Sequence, residues 1–430
     1  MFDRVLLASL VAVVPHATAD TTTVYLPAFY DSVTHMEPVG KLGQVIKKER
    51  IATRIPGARA WRIAYISSDM AGRKTVATAV LAAPVGDAPP GGRSVVAWAH
   101  GTTGTAENCG PSQEVNPAQP LNEYFLIGGN STTDYGLPGV NRFIRDGYVI
   151  VATDYQGLGG GGIHQYMISP TQAHDAIDSI RAAGNMKETG AGKKAVLYGW
   201  SQGAGAVIAA AGLPSYLAQK GTAFDGIDLV GVVALAPPDV AATVPSMPSD
   251  EASAETALAA MESMFSNNVF NWSHLAMNLW ALPTGFSNLR LTDVFTPDGS
   301  EAINRIMTGK CIHALADTLN YNYGSTYKSL MQPKAIHALA WVRALVASSV
   351  PAVKPVAPVI IYYGRDDVTV PPVMGQLYRT QMCKIGGNLA RVELAGPQTH
   401  YTTPPVSEPL YVPWVEDRFA GKPAPNGCSN

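Results

Sequence analysis

Gly199-Trp200-Ser201-Gln202-Gly203 lies between the β-like run Ala195-Val196-Leu197-Tyr198 and the alanine-rich stretch from Ala204 to Ala211. A strand, a serine flanked at minus two and plus two by glycine, and a helix fit one local arrangement. The strand-to-helix turn is so tight that only small side chains fit beside the serine. Such a turn lifts the Ser201 hydroxyl out above the sheet. It also sets the Gln202 amide at a helix N-terminus, where it can stabilise a developing oxyanion.

A nucleophilic serine needs a base and an acid. In α/β-hydrolases the chain order is serine, then Asp or Glu, then histidine. The strand-like run Val359 to Tyr363 ends in Gly364-Arg365-Asp366-Asp367-Val368-Thr369-Val370-Pro371. A carboxylate just past a buried strand can orient an imidazole. The D-x-x-V-P spacing selects Asp367 and leaves Asp366 as a turn or cap residue. Of nine histidines, only His400 follows Asp367. It sits in a loop after the strand-like Ala390 to Leu394, where the base is expected. The predicted catalytic set is Ser201, Asp367 and His400.

A second oxyanion amide is expected from the loop after the third core strand. Val95 to Ala99 reads as that strand and runs into His100-Gly101-Thr102-Thr103-Gly104. Thr103 is the preferred donor, with Thr102 next. His100 is read as a brace for the loop rather than a base.

With these parts placed, the chain resembles the secretory lipase family of α/β-hydrolases. The matching strings are Ala99 to Gly104, Cys109-Gly110-Pro111-Ser112, Thr153-Asp154-Tyr155-Gln156-Gly157, Tyr198 to Gly203, the Asp367 turn and His400. The likeness runs from about Val95 to the C-terminus. One branch of that family carries an acidic residue in the oxyanion loop, where this chain has Thr102-Thr103. The resemblance implies an α/β-hydrolase fold, a mainly parallel sheet flanked by helices, with a helical cap between the sixth and seventh core strands. It implies a lipase or esterase.

Four cysteines, Cys109, Cys311, Cys383 and Cys428, allow three pairings. The resemblance implies Cys109 with Cys311 and Cys383 with Cys428. An even count fits an oxidising compartment. So does the N-terminus: Arg4, an apolar run from Val5 to Val14, then Ala17-Thr18-Ala19 before Asp20 read as a signal peptide over residues 1–19. The expected location is secreted, extracellular or periplasmic. Sequons stand at Asn130 and Asn271.

The 430 residues are 47% hydrophobic and 15% charged, which suits a large buried core. A net charge of −2 gives no reason to expect nucleic acid. No C-x-x-C or H-E-x-x-H pattern suggests a metal. Gly157-x-Gly159-x-x-Gly162 fits a dinucleotide fingerprint, but no helical pattern opens until near Thr171. It is read as a loop, with Asp154 as a structural hydrogen-bonder. No cofactor and no obligate protein partner are expected; the partner is a small-molecule or lipid ester, with a possible lipid–water interface.

Trp61–Ser67 and Thr75–Ala82 read as an antiparallel hairpin, and Val149–Thr153 and Leu229–Leu235 as further strands. Gln172–Ala183 reads as an amphipathic helix with Asp175, Asp178 and Arg181 away from its apolar face. Residues 20–239 and 346–430 form the expected core. Residues 240–345 form the expected cap, with helices over Ser253–Phe265, Ala302–Met307 and Pro333–Val346. Within the cap, Met261, Met264, Phe265, Phe270, Trp272, Met277, Leu279 and Trp280 either line an acyl pocket or form the cap's own core; for any one of them core is the default. The predicted function is a secreted serine carboxylic-ester hydrolase acting on apolar or aromatic esters through an acyl-enzyme. Alternatives are a polyester or aromatic-ester hydrolase, an exopeptidase or acyltransferase on the same fold, or an inactive hydrolase-like binding protein. The intact serine, aspartate and histidine set argues against the last.

Overall fold

The computed structural model describes residues 25–114, 116–119, 136–244 and 246–429. The expected signal peptide and the Asn130 sequon lie outside the described residues. Nine strands form one sheet: β1 (Val45–Ile51), β2 (Ala58–Ser68), β3 (Lys74–Pro84), β4 (Arg93–Ala99), β5 (Val149–Gln156), β6 (Ala191–Trp200), β7 (Asp228–Leu235), β8 (Val359–Tyr363) and β9 (Leu389–Glu393). Their order is β1-β2-β3-β5-β4-β6-β7-β8-β9. Pairing is antiparallel from β1 to β5 and parallel from β5 to β9. This is an α/β-hydrolase sheet with one extra antiparallel edge strand, β1.

The body of the sheet is buried on both faces because helices cover both. Along β4, Val95, Ala97 and Ala99 pack on one side and Val96 and Trp98 on the other, the period of two that a strand imposes. Helices Ser169–Asn185, Gln202–Ala211 and Val373–Lys384 cover the first face. Helices Val140–Arg145 and Thr403–Phe419 cover the second. At β4 the strand order reverses, with β5 on one side and β6 on the other. Loops leaving the carboxyl ends of strands at such a switch point frame a crevice. The register Ala99↔Gly199 sets the loop after β4 beside the turn after β6.

Between β7 and β8, the sixth and seventh strands counted from β2, the chain forms five longer helices: Glu251–Phe265, Val269–Gly285, Pro297–Gly309, Ile312–Tyr323 and Ala338–Ala347. They share an apolar cluster around Trp272, Trp280, Phe295, Ile303 and Trp341. Two of these helices, Val269–Gly285 and Ile312–Tyr323, were not expected. The first is buried along most of its length, so its sequence shows little apolar–polar alternation.

The helix Ser169–Asn185 corrects one expectation. Asp175, Asp178 and Arg181 do not face solvent; all three are fully buried. The Arg181 guanidinium pairs with Asp178 at 2.6 Å, and Tyr216 O–H donates to the other Asp178 oxygen at 2.6 Å. The backbone N–H of Gln156 donates to Asp175 at 3.0 Å. The Arg181–Asp178 pair sits under a second layer of chain with its partners in place, as a buried ion pair must. The other Asp175 oxygen has no hydrogen-bond partner among the described residues, and burial pushes the pKa of that carboxyl up to about 8.

Candidate active site

The turn after β6 is the structural centre of the site. Ser201 has φ 56° and ψ −125°, a region non-glycine residues rarely occupy. Tyr155 near the end of β5 and Ala236 just after β7 also have positive φ, so strain collects at the carboxyl edge of the sheet. The flanking glycines are required by space. A Cβ on Gly203 would stand 1.9 Å from the Ala99 carbonyl oxygen, and one on Gly199 would stand 2.4 Å from the Gly203 oxygen. Gln202 opens the helix Gln202–Ala211, and the Ser201 hydroxyl does not cap it.

That hydroxyl instead meets His400. Ser201 Oγ lies 2.8 Å from His400 Nε2. His400 Nδ1–H donates to Asp367 Oδ2 at 2.7 Å, which leaves Nε2 as the acceptor of the serine proton. The other Asp367 oxygen accepts from the backbone N–H groups of Thr369 and Val370, at 3.0 and 2.8 Å. All three side chains are buried. Asp366 is half-exposed and faces Arg365 at 3.7 Å. The fold thus brings Ser201, Asp367 and His400 together and turns Asp366 away.

Trp200, the variable residue of the turn, braces the imidazole. Its indole N–H donates to the His400 carbonyl at 3.1 Å, and its ring lies 4.8 Å from the imidazole ring. Sequence reading gave Trp200 no role, because the motif leaves that position free.

The loop after β4 is held from several sides. His100 Nδ1–H donates to the Gly101 carbonyl at 2.6 Å, and burial pushes its pKa down to about 4, so it braces the loop as a neutral imidazole. Asp154 accepts from Thr78 Oγ1 at 2.6 Å, from the Ser112 amide at 2.9 Å, and from the Ser112 hydroxyl. It is a buried structural acceptor, as expected, and burial raises its pKa to about 6. Cys109 is bonded to Cys311, and Cys383 to Cys428. The first link is reinforced where Ile312 N–H donates to the Thr103 carbonyl at 2.9 Å. The loop after β4 is therefore stitched to the helices inserted between β7 and β8. The glycine-rich segment from Gly157 to Gly162 has positive φ at four of its glycines and no helix directly after it, so it is a loop and not a dinucleotide turn.

Ser201 opens into a slot of about 60 Å³. Gln202 lines it; Thr102 and Thr103 do not, and Thr102 reaches it through the hydroxyl of Tyr166 at 2.8 Å. Apolar walls come from Met167, Val370 and Met374, and from Val240, Met261, Phe265 and Leu275 of the segment between β7 and β8. The remaining cap candidates are elsewhere: Trp272, Met277, Leu279 and Trp280 are cap core, Phe270 packs against that core, and Met264 is exposed. Asn271 is 5% exposed and lines the slot, so its sequon is closed to glycosylation in the folded chain. Among the described residues no cluster of three or more His, Cys, Asp or Glu side chains is poised to hold a metal.

The secretory lipase family profile matches residues 129–268 and 290–427, more than half of the chain. The chain belongs to the secretory lipase family. It is 23% identical to Lipase 9 of Candida albicans over 386 residues, covering 86% of this chain and 76% of that one. Among solved structures, Candida antarctica lipase A matches with a TM-score of 0.67 at 16% identity, over 94% of this chain and 86% of that one. A ligand-bound form of the rice cell wall degrading esterase LipA from Xanthomonas oryzae matches with a TM-score of 0.65 at 19% identity, over 89% and 100%. These structures share the α/β-hydrolase fold with this secretory lipase family member.

Proposed function

We propose that this chain is an exported serine carboxylic-ester hydrolase in which Ser201 is the nucleophile, His400 the base and Asp367 the acid that orients it. The observation that carries this reading is the 2.8 Å contact between Ser201 Oγ and His400 Nε2 on a strained strand-to-helix turn. His400 takes the serine proton as Oγ attacks the ester carbonyl, then gives it to the departing alcohol. The Gln202 amide at the helix N-terminus, with an amide of the Thr102-Thr103 loop, holds the oxyanion. Water then adds to the acyl-enzyme by the same route in reverse and releases the acid.

The mostly apolar slot favours esters with an apolar acyl or aromatic group, since each buried methylene contributes about 0.8 kcal/mol. Two disulfides support export to an oxidising compartment. Among the described residues no helix is long and apolar enough to cross a membrane.

Hydrolysis of p-nitrophenyl butyrate by the wild type and by Ser201→Ala tests the reading. The variant should lose about 10³-fold or more in kcat. A wild type inert on all simple esters, or an undiminished Ser201→Ala, rejects it.

A further inference from the structure

Asn271, His274 and Asn278 fall at i, i+3 and i+7 of the cap helix Val269–Gly285, so they share one face. All three line the slot that holds Ser201. The slot is otherwise mainly apolar, and a polar strip in such a wall is costly to desolvate unless something meets it.

The hydrogen bonds these residues already make fix what they can still offer. His274 Nδ1–H donates to the Phe270 carbonyl at 2.8 Å, which leaves Nε2 as an acceptor. Burial keeps the imidazole neutral, with a pKa pushed down to about 4, and the nearby His400 and His313 act in the same direction. The Asn271 side-chain NH₂ donates to Asn267 Oδ1 at 2.8 Å, and that of Asn278 to the Tyr166 carbonyl at 3.4 Å. Among the described residues, His274 Nε2 and the side-chain oxygens of Asn271 and Asn278 take part in no hydrogen bond. The strip presents three acceptors. Its missing partner is a donor. No Asp or Glu lines the slot, so a cationic donor would go unpaired there and a neutral one fits.

We infer that the ester received here carries a hydroxyl group, bound under the cap helix by His274 together with Asn271 and Asn278. This rests on the ester-hydrolase reading and narrows it. A plain alkyl ester fills the apolar part of the slot but leaves the three acceptors desolvated and unmet. A hydroxylated one satisfies at least one of them. The hydroxyl can sit on the acyl group or on the alcohol.

Two matched pairs separate these sources. p-Nitrophenyl butyrate against p-nitrophenyl 3-hydroxybutyrate places the hydroxyl on the acyl side. Ethyl butyrate against 2-hydroxyethyl butyrate, followed by acid release, places it on the alcohol side. In one pair the wild type should favour the hydroxylated ester by about 10-fold in kcat/KM. His274→Leu should bring that ratio to within about twofold of unity, and His274→Gln, which keeps an acceptor, should restore part of it. Each ratio is measured within one preparation, so a partly folded variant does not distort it. Asn278→Leu is the second variant and should also lower the ratio. Ratios near unity in both pairs for the wild type, with the plain esters turned over, overturn this inference alone. So does a preference that survives both His274→Leu and Asn278→Leu. A wild type that hydrolyses none of the four esters overturns it together with the hydrolase reading.

Discussion

His164 Nε2 lies 3.0 Å from the side-chain nitrogen of Gln202. The other ring nitrogen, 2.8 Å from the Gln156 carbonyl, carries the proton, so Nε2 accepts from the Gln202 NH₂. Burial pushes the His164 pKa down to about 3, which keeps the acceptor free at any working pH. The loop after β5 thereby holds the residue whose backbone amide faces the proposed oxyanion. His164→Leu should lower kcat by about 10-fold while KM moves by less than about threefold. Steady-state kinetics on a short p-nitrophenyl ester decide the matter. A fall in Tm with kcat intact would assign His164 to packing alone.

The two adjacent aspartates should behave very differently. Asp367 is 4% exposed and its carboxylate is fully used, by His400 on one oxygen and two backbone N–H groups on the other. Asp367→Asn places an amide against His400 Nδ1 and favours the wrong tautomer, with an expected loss of about 10⁴-fold in kcat. Asp366→Asn changes a half-exposed side chain whose neighbour is Arg365, and should stay within about threefold. The reverse order in parallel assays would reassign the acid.

Stability should fall as pH rises from neutrality, and Asp175 should be a main cause. Burial raises its pKa in the fold to about 8, against about 3.9 in an unfolded chain. The protonated carboxyl favours folding, so its contribution is full below about pH 4 and is lost as pH climbs to about 8. Three histidines act oppositely. His100, His164 and His274 are lowered to about 4, 3 and 4, so their contribution is present above about pH 6.5 and is lost in acid. Above about pH 6.5 the histidine contribution is constant, and a decline up to pH 8 reports the carboxyls. Asp175→Asn, neutral at every pH, should flatten that part of a Tm-against-pH curve. An unchanged slope would mean that Asp175 is ionised in the fold.

The Cys109–Cys311 link closes a sequence separation of 202 residues, and Cys383–Cys428 one of 45. The chain-entropy relation gives about 5 and about 4 kcal/mol for loops of these lengths. Their effects on chemistry should differ. Only the first joins the Thr103 segment to the cap. Replacing Cys109 and Cys311 by serine should lower both Tm and kcat, whereas the same change at Cys383 and Cys428 should lower Tm with kcat nearly intact. Equal kcat in the two double variants would sever the link between this disulfide and the proposed oxyanion loop.

Much of this is legible in the sequence alone. The glycine spacing around Ser201, the D-x-x-V-P turn and the position of His400 are local signals with steric or topological causes, and the fold brings all three together. What escaped reading lacks such local cause. β1 carries Lys47, Lys48, Glu49 and Arg50, the charges of an edge strand, and shows no apolar run. The helix Thr403–Phe419 hides behind Pro405, Pro409 and Pro413. Those three are exposed at four-residue spacing, so the bonds they forgo leave carbonyls on the solvent side, where water can meet them. His164, Trp200 and His274 gain their roles only from partners far along the chain, and a single histidine or tryptophan in a sequence says nothing of its partner.

The cap offers a direct test of which apolar side chains touch substrate. Phe265 lines the slot at the end of the helix Glu251–Phe265, while Trp272, only seven residues on, is fully enclosed among cap side chains, its ring tilted against that of Tyr327 at 5.2 Å. Phe265→Ala should widen a slot of only about 60 Å³ and shift the optimum of a p-nitrophenyl ester series toward bulkier or longer acyl groups, with a modest change in Tm. Trp272→Ala leaves a cavity inside the cap and should cost about 3–5 kcal/mol in stability. Because Trp272 does not reach the slot, the active fraction that remains should keep the wild-type chain-length profile. The profile, normalised to its own maximum, separates the two cases without needing equal amounts of folded protein. A shifted optimum in Trp272→Ala together with an unmoved one in Phe265→Ala would mean that the substrate enters along the cap interior and not along the wall that Phe265 forms beside Ser201.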